Sequence, residues 1–220
     1  PWVRVCRHLQ LLLGSNMSLY SRHVFPHVLD WIMSQPAFTN AREELLATVS
    51  GDVLEIGFGT GLNLPHYPET VDTLTTVDVN PGVHRLAEKR LSKSTLPVKF
   101  ELISGECLPM PDNSYDAVVS TWTLCSIPDV MSALREVRRV LKPDGKFFFV
   151  EHGLNPDPSI AKWQHRLTPI QKVIGDGCHL DRDTLKLIEQ AGLKTQHYRQ
   201  FNAEGLPALG AFMTLGIAGK

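Results

Sequence analysis

The segment Leu54-Glu55-Ile56-Gly57-Phe58-Gly59-Thr60-Gly61-Leu62-Asn63 restricts the fold more than any other part of the chain. A short apolar run, Asp52 to Ile56, enters a turn with glycines at alternate positions. This reads as a strand followed by a loop whose backbone a ligand approaches closely. Asp78, 21 residues after Gly57, stands near the end of a second strand-like run, Leu74 to Val79. A carboxylate there accepts two hydrogen bonds from vicinal hydroxyls. A dinucleotide fingerprint requires G-x-G-x-x-G, but Leu62 occupies its third glycine position and the glycine comes one residue early. Glu55, two residues before Gly57, suits ordering of the loop or of a bound cation.

Strand and helix patterns alternate around this loop. Pro81 to Leu91 reads as a helix with Pro at its first position. Pro97 to Ile103, Tyr115 to Thr121 and Phe147 to Glu151 read as strands, the last two continuous and apolar, as strands buried on both faces are. Val130 to Leu141 reads as a helix ending in the turn Lys142-Pro143-Asp144-Gly145. Such alternation predicts a doubly wound α/β sheet, because parallel strands need helical crossovers. Upstream, Ser18 to Ser34 shows helical spacing broken by Pro26, and Ala41 to Val49 a second helix. Downstream, one helix is expected between Gly153 and Gly177, another over Asp181 to Ala191, and strands over Leu193 to Phe201 and Leu209 to Ile217.

A chain of 220 residues suits one domain, and 43% apolar with 20% charged residues excludes wholesale disorder. A net charge of −1 without basic runs argues against a nucleic-acid partner. Cys6, Cys107, Cys125 and Cys178 are scattered, which indicates neither a disulfide framework nor a zinc knuckle and points to a reducing, cytoplasmic compartment. The pair Cys178–His179 with Asp181 lacks a second ligand cluster, so no metal is expected. Leu9 to Leu13 is too short to span a bilayer, which limits any membrane association to the surface. Met17 followed by Ser-Leu-Tyr suits a start, with residues 1–16 an upstream extension or a trimmed remnant. Oligomeric state has no signal in the sequence.

The glycine loop, Ser104-Gly105-Glu106-Cys107-Leu108-Pro109, Pro111-Asp112-Asn113-Ser114-Tyr115-Asp116 and Arg138-Arg139-Val140-Leu141-Lys142-Pro143-Asp144-Gly145 together resemble the class I S-adenosylmethionine-dependent methyltransferases, whose motif reads E/D-x-G-x-G-x-G. Thr121 to Ile127, Glu151-His152-Gly153 and Gly175 to Thr184 narrow the resemblance to the thiol methyltransferase group of methyltransferase-like proteins and its bacterial relatives. The resemblance implies a Rossmann-like seven-stranded sheet with the last strand antiparallel and helices on both faces. It implies S-adenosyl-L-methionine as cofactor and a small-molecule acceptor. It also implies cofactor contacts from Tyr20, Glu55, Gly57, Gly59, Thr60, Gly61, Asn63, Asp78, Val79, Asn80, Gly105, Glu106, Cys107 and Thr121. Ser104 stands where many members have Asp, so backbone groups of Glu106 and Cys107 are expected to serve the adenine.

Residues 1–49 are expected to form the N-terminal extension and lid helices, and residues 50–220 the cofactor-binding domain. His152, at the carboxyl end of a strand, is the candidate base. Trp122 and Trp163 are candidates for an acceptor pocket. A thiol acceptor is expected, since a thiol of pKa ~8.5 needs little chemical help. Phospholipid amine N-methylation and quinone-precursor C-methylation are the alternatives within the class. An NAD-dependent oxidoreductase would use the same sheet and Asp78, but the glycine spacing argues against it; a non-catalytic cofactor-binding regulator would bind without turnover.

Overall fold

A computed structural model describes residues 18–220; the expectations placed on residues 1–17 lie outside it. Seven strands form one sheet: β1 (Gly51–Ile56), β2 (Val71–Asp78), β3 (Val98–Leu102), β4 (Tyr115–Thr121), β5 (Leu141–His152), β6 (Lys194–Asn202) and β7 (Phe212–Gly219). Their order is β3-β2-β1-β4-β5-β7-β6, with β7 antiparallel to both of its neighbours and the β1–β5 pairings parallel. The fold class expected from the sequence is therefore the one observed.

The strands carry apolar residues on both faces because both are covered. Leu54, Val118, Phe147 and Phe149 join one buried cluster, while Val53, Ala117, Val119, Phe148 and Val150 join the other. On the first face lie α5 (Val130–Val140) and α7 (Thr184–Gln190); on the second lie α3 (Pro36–Leu46) and α4 (Pro81–Leu91). Helix α5 buries Val130, Ala133, Leu134, Val137 and Val140, the i, i+3, i+4, i+7 stripe of a core-facing helix. Each such Val or Leu side chain contributes roughly 1.5–3 kcal/mol when fully buried. Asp129 caps that helix by accepting from Ser132 N at 3.0 Å, worth about 1 kcal/mol.

Several boundaries differ from the sequence expectation. The first helical stretch divides at Val24 rather than Pro26, into α1 (Leu19–His23) and α2 (Phe25–Met33), because Pro26 falls in the first turn of α2, where its missing N–H costs nothing. Helix α3 starts at Pro36 and not Ala41, again with Pro in its first turn. Strand β5 begins at Leu141 and absorbs the expected turn 142–145 as an irregularity: the register jumps from Tyr115↔Leu141 to Ala117↔Lys146. The last strand starts at Phe212, after a short helix α8 (Ala208–Ala211). The segment after β5 holds α6 (Pro158–Ile174), as expected. None of the described helices is long and apolar enough to cross a membrane.

Candidate active site at the carboxyl edge of the sheet

From β1 the chain builds outward through β2 to β3, then returns to place β4 on the other side of β1. The carboxyl ends of β1 and β4 thus flank the topological switch point, where open α/β sheets bind ligands. A cavity of about 220 Å³ lies there. Gly57, Gly59, Thr60, Asn63, Asp78, Val79, Asn80, Gly105 and Thr121, all singled out in the sequence, line it.

The loop after β1 is held open to a ligand by its backbone. Gly57 has φ +79°, and a Cβ on it would meet Thr123 Oγ1 at 2.0 Å, so no larger residue fits. Asp78 organises the other rim: its carboxylate accepts from Gly59 N and from Asn80 N, each at 2.8 Å. Burial raises the Asp78 pKa, while these backbone donors hold it back. Asn80 in turn caps α4 by accepting from Gly82 N at 2.8 Å.

Beneath the loop runs a buried polar chain. Glu55 accepts from Asn63 Nδ2 at 2.8 Å and from Tyr67 OH at 2.9 Å, and Arg42 Nε donates to Asn63 Oδ1 at 2.6 Å. Asn63 Nδ2 also reaches Thr121 Oγ1 at 3.1 Å, which ties β1 to β4. Burial pushes the Glu55 pKa up to about 8, against the pull of Tyr67, Asn63 and Arg42. The same burial lowers Arg42 to about 10. Glu55 does not reach the cavity; it fixes Asn63, which does.

Helix α2 closes the cavity from above, with α1 packed against it. Phe25, Leu29 and Met33 of α2, one helical turn apart, form its apolar ceiling. Asp30 accepts from Thr60 Oγ1 and from Arg90 Nη1, and Arg90 Nη1 also donates to Thr60 O at 2.9 Å. Helix α1 is clamped at both sides: Asn80 Nδ2 donates to Ser21 O at 2.9 Å, and Ser21 Oγ donates to Asp176 Oδ2 at 2.7 Å. Tyr20 is turned outward, its hydroxyl donating to Ile174 O at 2.9 Å. The i, i+4 spacing of Phe25, Leu29 and Met33 is visible in the sequence, whereas Arg42 and Asp176, also in the wall, carry no local signal.

The remaining site candidates are placed as follows. Gly61 lies below the loop surface with φ +79°. Glu106 turns toward the start of α5, accepting from Asp129 N at 2.7 Å and from Ser104 Oγ at 2.9 Å. Ser104 itself lines the cavity. Cys107 is disulfide-bonded, a pairing that the scattered cysteine spacing does not disclose, whereas Cys125 and Cys178 are free. Trp122 walls the cavity in the left-handed conformation, φ 51°, packed edge-on against Phe38; Trp163 is exposed and takes no part. His152 lies outside the cavity wall, with Nε2 3.1 Å from Cys178 Sγ and Nδ1 buried without a partner. His179 Nδ1 is 3.8 Å from Asp181, so Cys178 and His179 face different neighbours.

Comparison with known proteins agrees with this geometry. A family model described as a methyltransferase domain matches residues 54–149. The chain is 37% identical over 198 residues to the rat protein named thiol S-methyltransferase TMT1B, covering 84% of this chain and 80% of that one. It is 33% identical over 114 residues to the Rickettsia bellii ubiquinone/menaquinone biosynthesis C-methyltransferase UbiE, covering 48% of this chain and 46% of that one. Among solved structures it is similar to the N-methyltransferase NodS from Bradyrhizobium japonicum, in complex with S-adenosyl-L-homocysteine. That match has a TM-score of 0.66 at 16% identity and covers 86% of this chain and 91% of that one.

Proposed function

This chain belongs to the S-adenosylmethionine-dependent methyltransferases, and we propose that the acceptor it methylates is a small thiol. The observation that carries the thiol reading is the 37% identity, over most of both chains, to a protein named for thiol S-methylation. The apolar ceiling of Phe25, Leu29 and Met33, with Trp122 and Ile127 in the wall, supports a soft, partly apolar acceptor.

The residues fit the cofactor. Gly57 and Gly59 bare their backbone to the cavity, and nothing lies within 4 Å of a Cβ built on Gly59. In our reading the lone pairs left on Asp78 accept the ribose hydroxyls, Gly105 and Ser104 border the adenine, and Asn63 and Thr121 hold the amino-acid end. When bound, S-adenosyl-L-methionine supplies an electrophilic methyl group on a sulfonium. The chain's own work is then orientation and exclusion of water. Helices α1 and α2 act as the lid, and the Glu55–Asn63–Arg42 chain keeps the loop in place. A thiol with a pKa near ~8.5 ionises with little help, so a strong base facing the cavity is dispensable. His152, expected as that base, is instead engaged with Cys178.

Carbon methylation of a quinone precursor is the second reading, favoured by the likeness to UbiE over about half of the chain. Release of S-adenosylhomocysteine, measured across panels of thiols, amines and phenols, separates the two. The thiol reading expects turnover confined to thiols and rising as the acceptor ionises; turnover on phenols or quinols with none on thiols would overturn it.

A further inference from the structure

Three side chains that methyl transfer does not use converge behind the cavity wall. Cys125 follows β4, His152 closes β5 and Cys178 lies in the loop after α6. The two sulfurs and a ring nitrogen lie within 4.8 Å of one another. The backbone fixes this meeting: His179 N donates to Cys125 O at 2.9 Å, and Cys178 N donates to Gly175 O at 3.1 Å. From this convergence we propose that Cys125, His152 and Cys178 form a binding site for a soft divalent transition metal of the zinc class.

The donor set selects the metal. Two thiolates and an imidazole suit zinc far better than magnesium or calcium, which take oxygen ligands. Bond lengths of ~2.3 Å to sulfur and ~2.0 Å to nitrogen place tetrahedral ligand atoms roughly 3.5–3.8 Å apart. The pair His152 Nε2–Cys178 Sγ, at 3.1 Å, needs to open by only about half an ångström to accept that geometry.

Charge is also provided for. Arg182 lies within electrostatic reach of Cys125, Cys178 and Glu151, and is anchored by donating to Leu124 O and Ile127 O on either side of Cys125. Three protein ligands leave the fourth position to water or to a soft ligand from outside. The proposal is independent of which acceptor the enzyme methylates.

The test uses the full chain, reduced and stripped with a chelator, then titrated with Zn²⁺ alone against a chromophoric chelator and with Co²⁺ as a spectroscopic substitute. One equivalent should bind with release of protons, and Co²⁺ should show thiolate charge-transfer absorption with tetrahedral d–d bands. Cys178→Ser should weaken binding by more than the roughly 10–100-fold that losing an outer hydrogen-bonding partner costs. Because Cys125 is buried, Cys125→Ser is scored only if its melting curve matches the parent; Cys178→Ser and His152→Gln otherwise carry the test. Failure of the reduced parent to take up either metal overturns the proposal. So does an affinity unchanged in Cys178→Ser, which would mark the metal as adventitious.

Discussion

Asp30, on helix α2, accepts a hydrogen bond from the Thr60 hydroxyl of the glycine loop at 2.5 Å, and the same carboxylate pairs with Arg90 at 2.9 Å. Lid and cofactor loop are therefore joined by one side chain. Both partners of the ion pair are about 30% exposed, so its share of global stability is small, on the order of 1 kcal/mol or less. Asp30→Ala should leave the melting temperature nearly unchanged and raise the dissociation constant for S-adenosylmethionine about tenfold, equivalent to ~1.4 kcal/mol. Titration calorimetry beside a thermal melt checks this; unchanged affinity would mean the lid is held by its apolar face alone.

Asp78 faces the cavity with both carboxylate oxygens already accepting from backbone N–H groups. Asp78→Ala should weaken cofactor binding by roughly 2–4 kcal/mol, since a charged acceptor is lost. The sheet should survive, because the residue ends β2 on the ligand side. Binding within twofold of the parent would remove Asp78 from the cofactor site.

Glu55 sets a pH dependence of stability. Its pKa rises from 4.5 to about 8 on folding because burial disfavours the carboxylate. The folded chain thus holds a proton that the unfolded chain has lost over this interval. Stability from this group is complete below pH 4.5 and falls as pH rises through about 8. The full span is worth a few kcal/mol at most, at ~1.36 kcal/mol per pH unit. Glu55→Gln should flatten that part of the profile. Melting temperatures at pH 5 and pH 8.5 test it, and equal slopes for parent and variant would contradict it.

Gly57 and Gly59 should separate stability from binding. Gly57→Ala forces a methyl group against Thr123 and adds a left-handed backbone penalty of ~1–2 kcal/mol, so a clear drop in melting temperature is expected. Gly59→Ala meets no protein atom, so it should lose little beyond the backbone penalty while its methyl group intrudes on the cofactor's space. Denaturation and calorimetry on both variants check the contrast; two equal losses of stability would refute it.

The alternation from β1 to β5 is legible because both sheet faces are covered, so Val118-Val119 and Phe147-Phe148-Phe149-Val150 appear as unbroken apolar runs. The glycine loop and Asp78 are legible because their roles depend on backbone conformation and on position along a strand. What is illegible has no local period. Cys125, His152 and Cys178 are each separated by more than 25 residues and meet only where two strand ends and a loop converge. The outward turn of Tyr20 is equally hidden, since it depends on where α6 ends. The boundary of α2 differs because Pro26, which suggests a break inside a helix, sits in a first turn where it is tolerated, and α3 likewise starts at Pro36.

The lid is fastened to the parts of the chain that would grip the cofactor: Asp30 to Thr60, and Ser21 to Asn80 and Asp176. If these helices cover a bound cofactor, it leaves only when those polar fasteners part, and its residence time is then a property of local opening rather than of the sheet's global stability. Turnover would then be gated by the same two short helices, which must lift before spent cofactor leaves. Salt, which weakens the Asp30–Arg90 pair, acts on that gate before it touches the core.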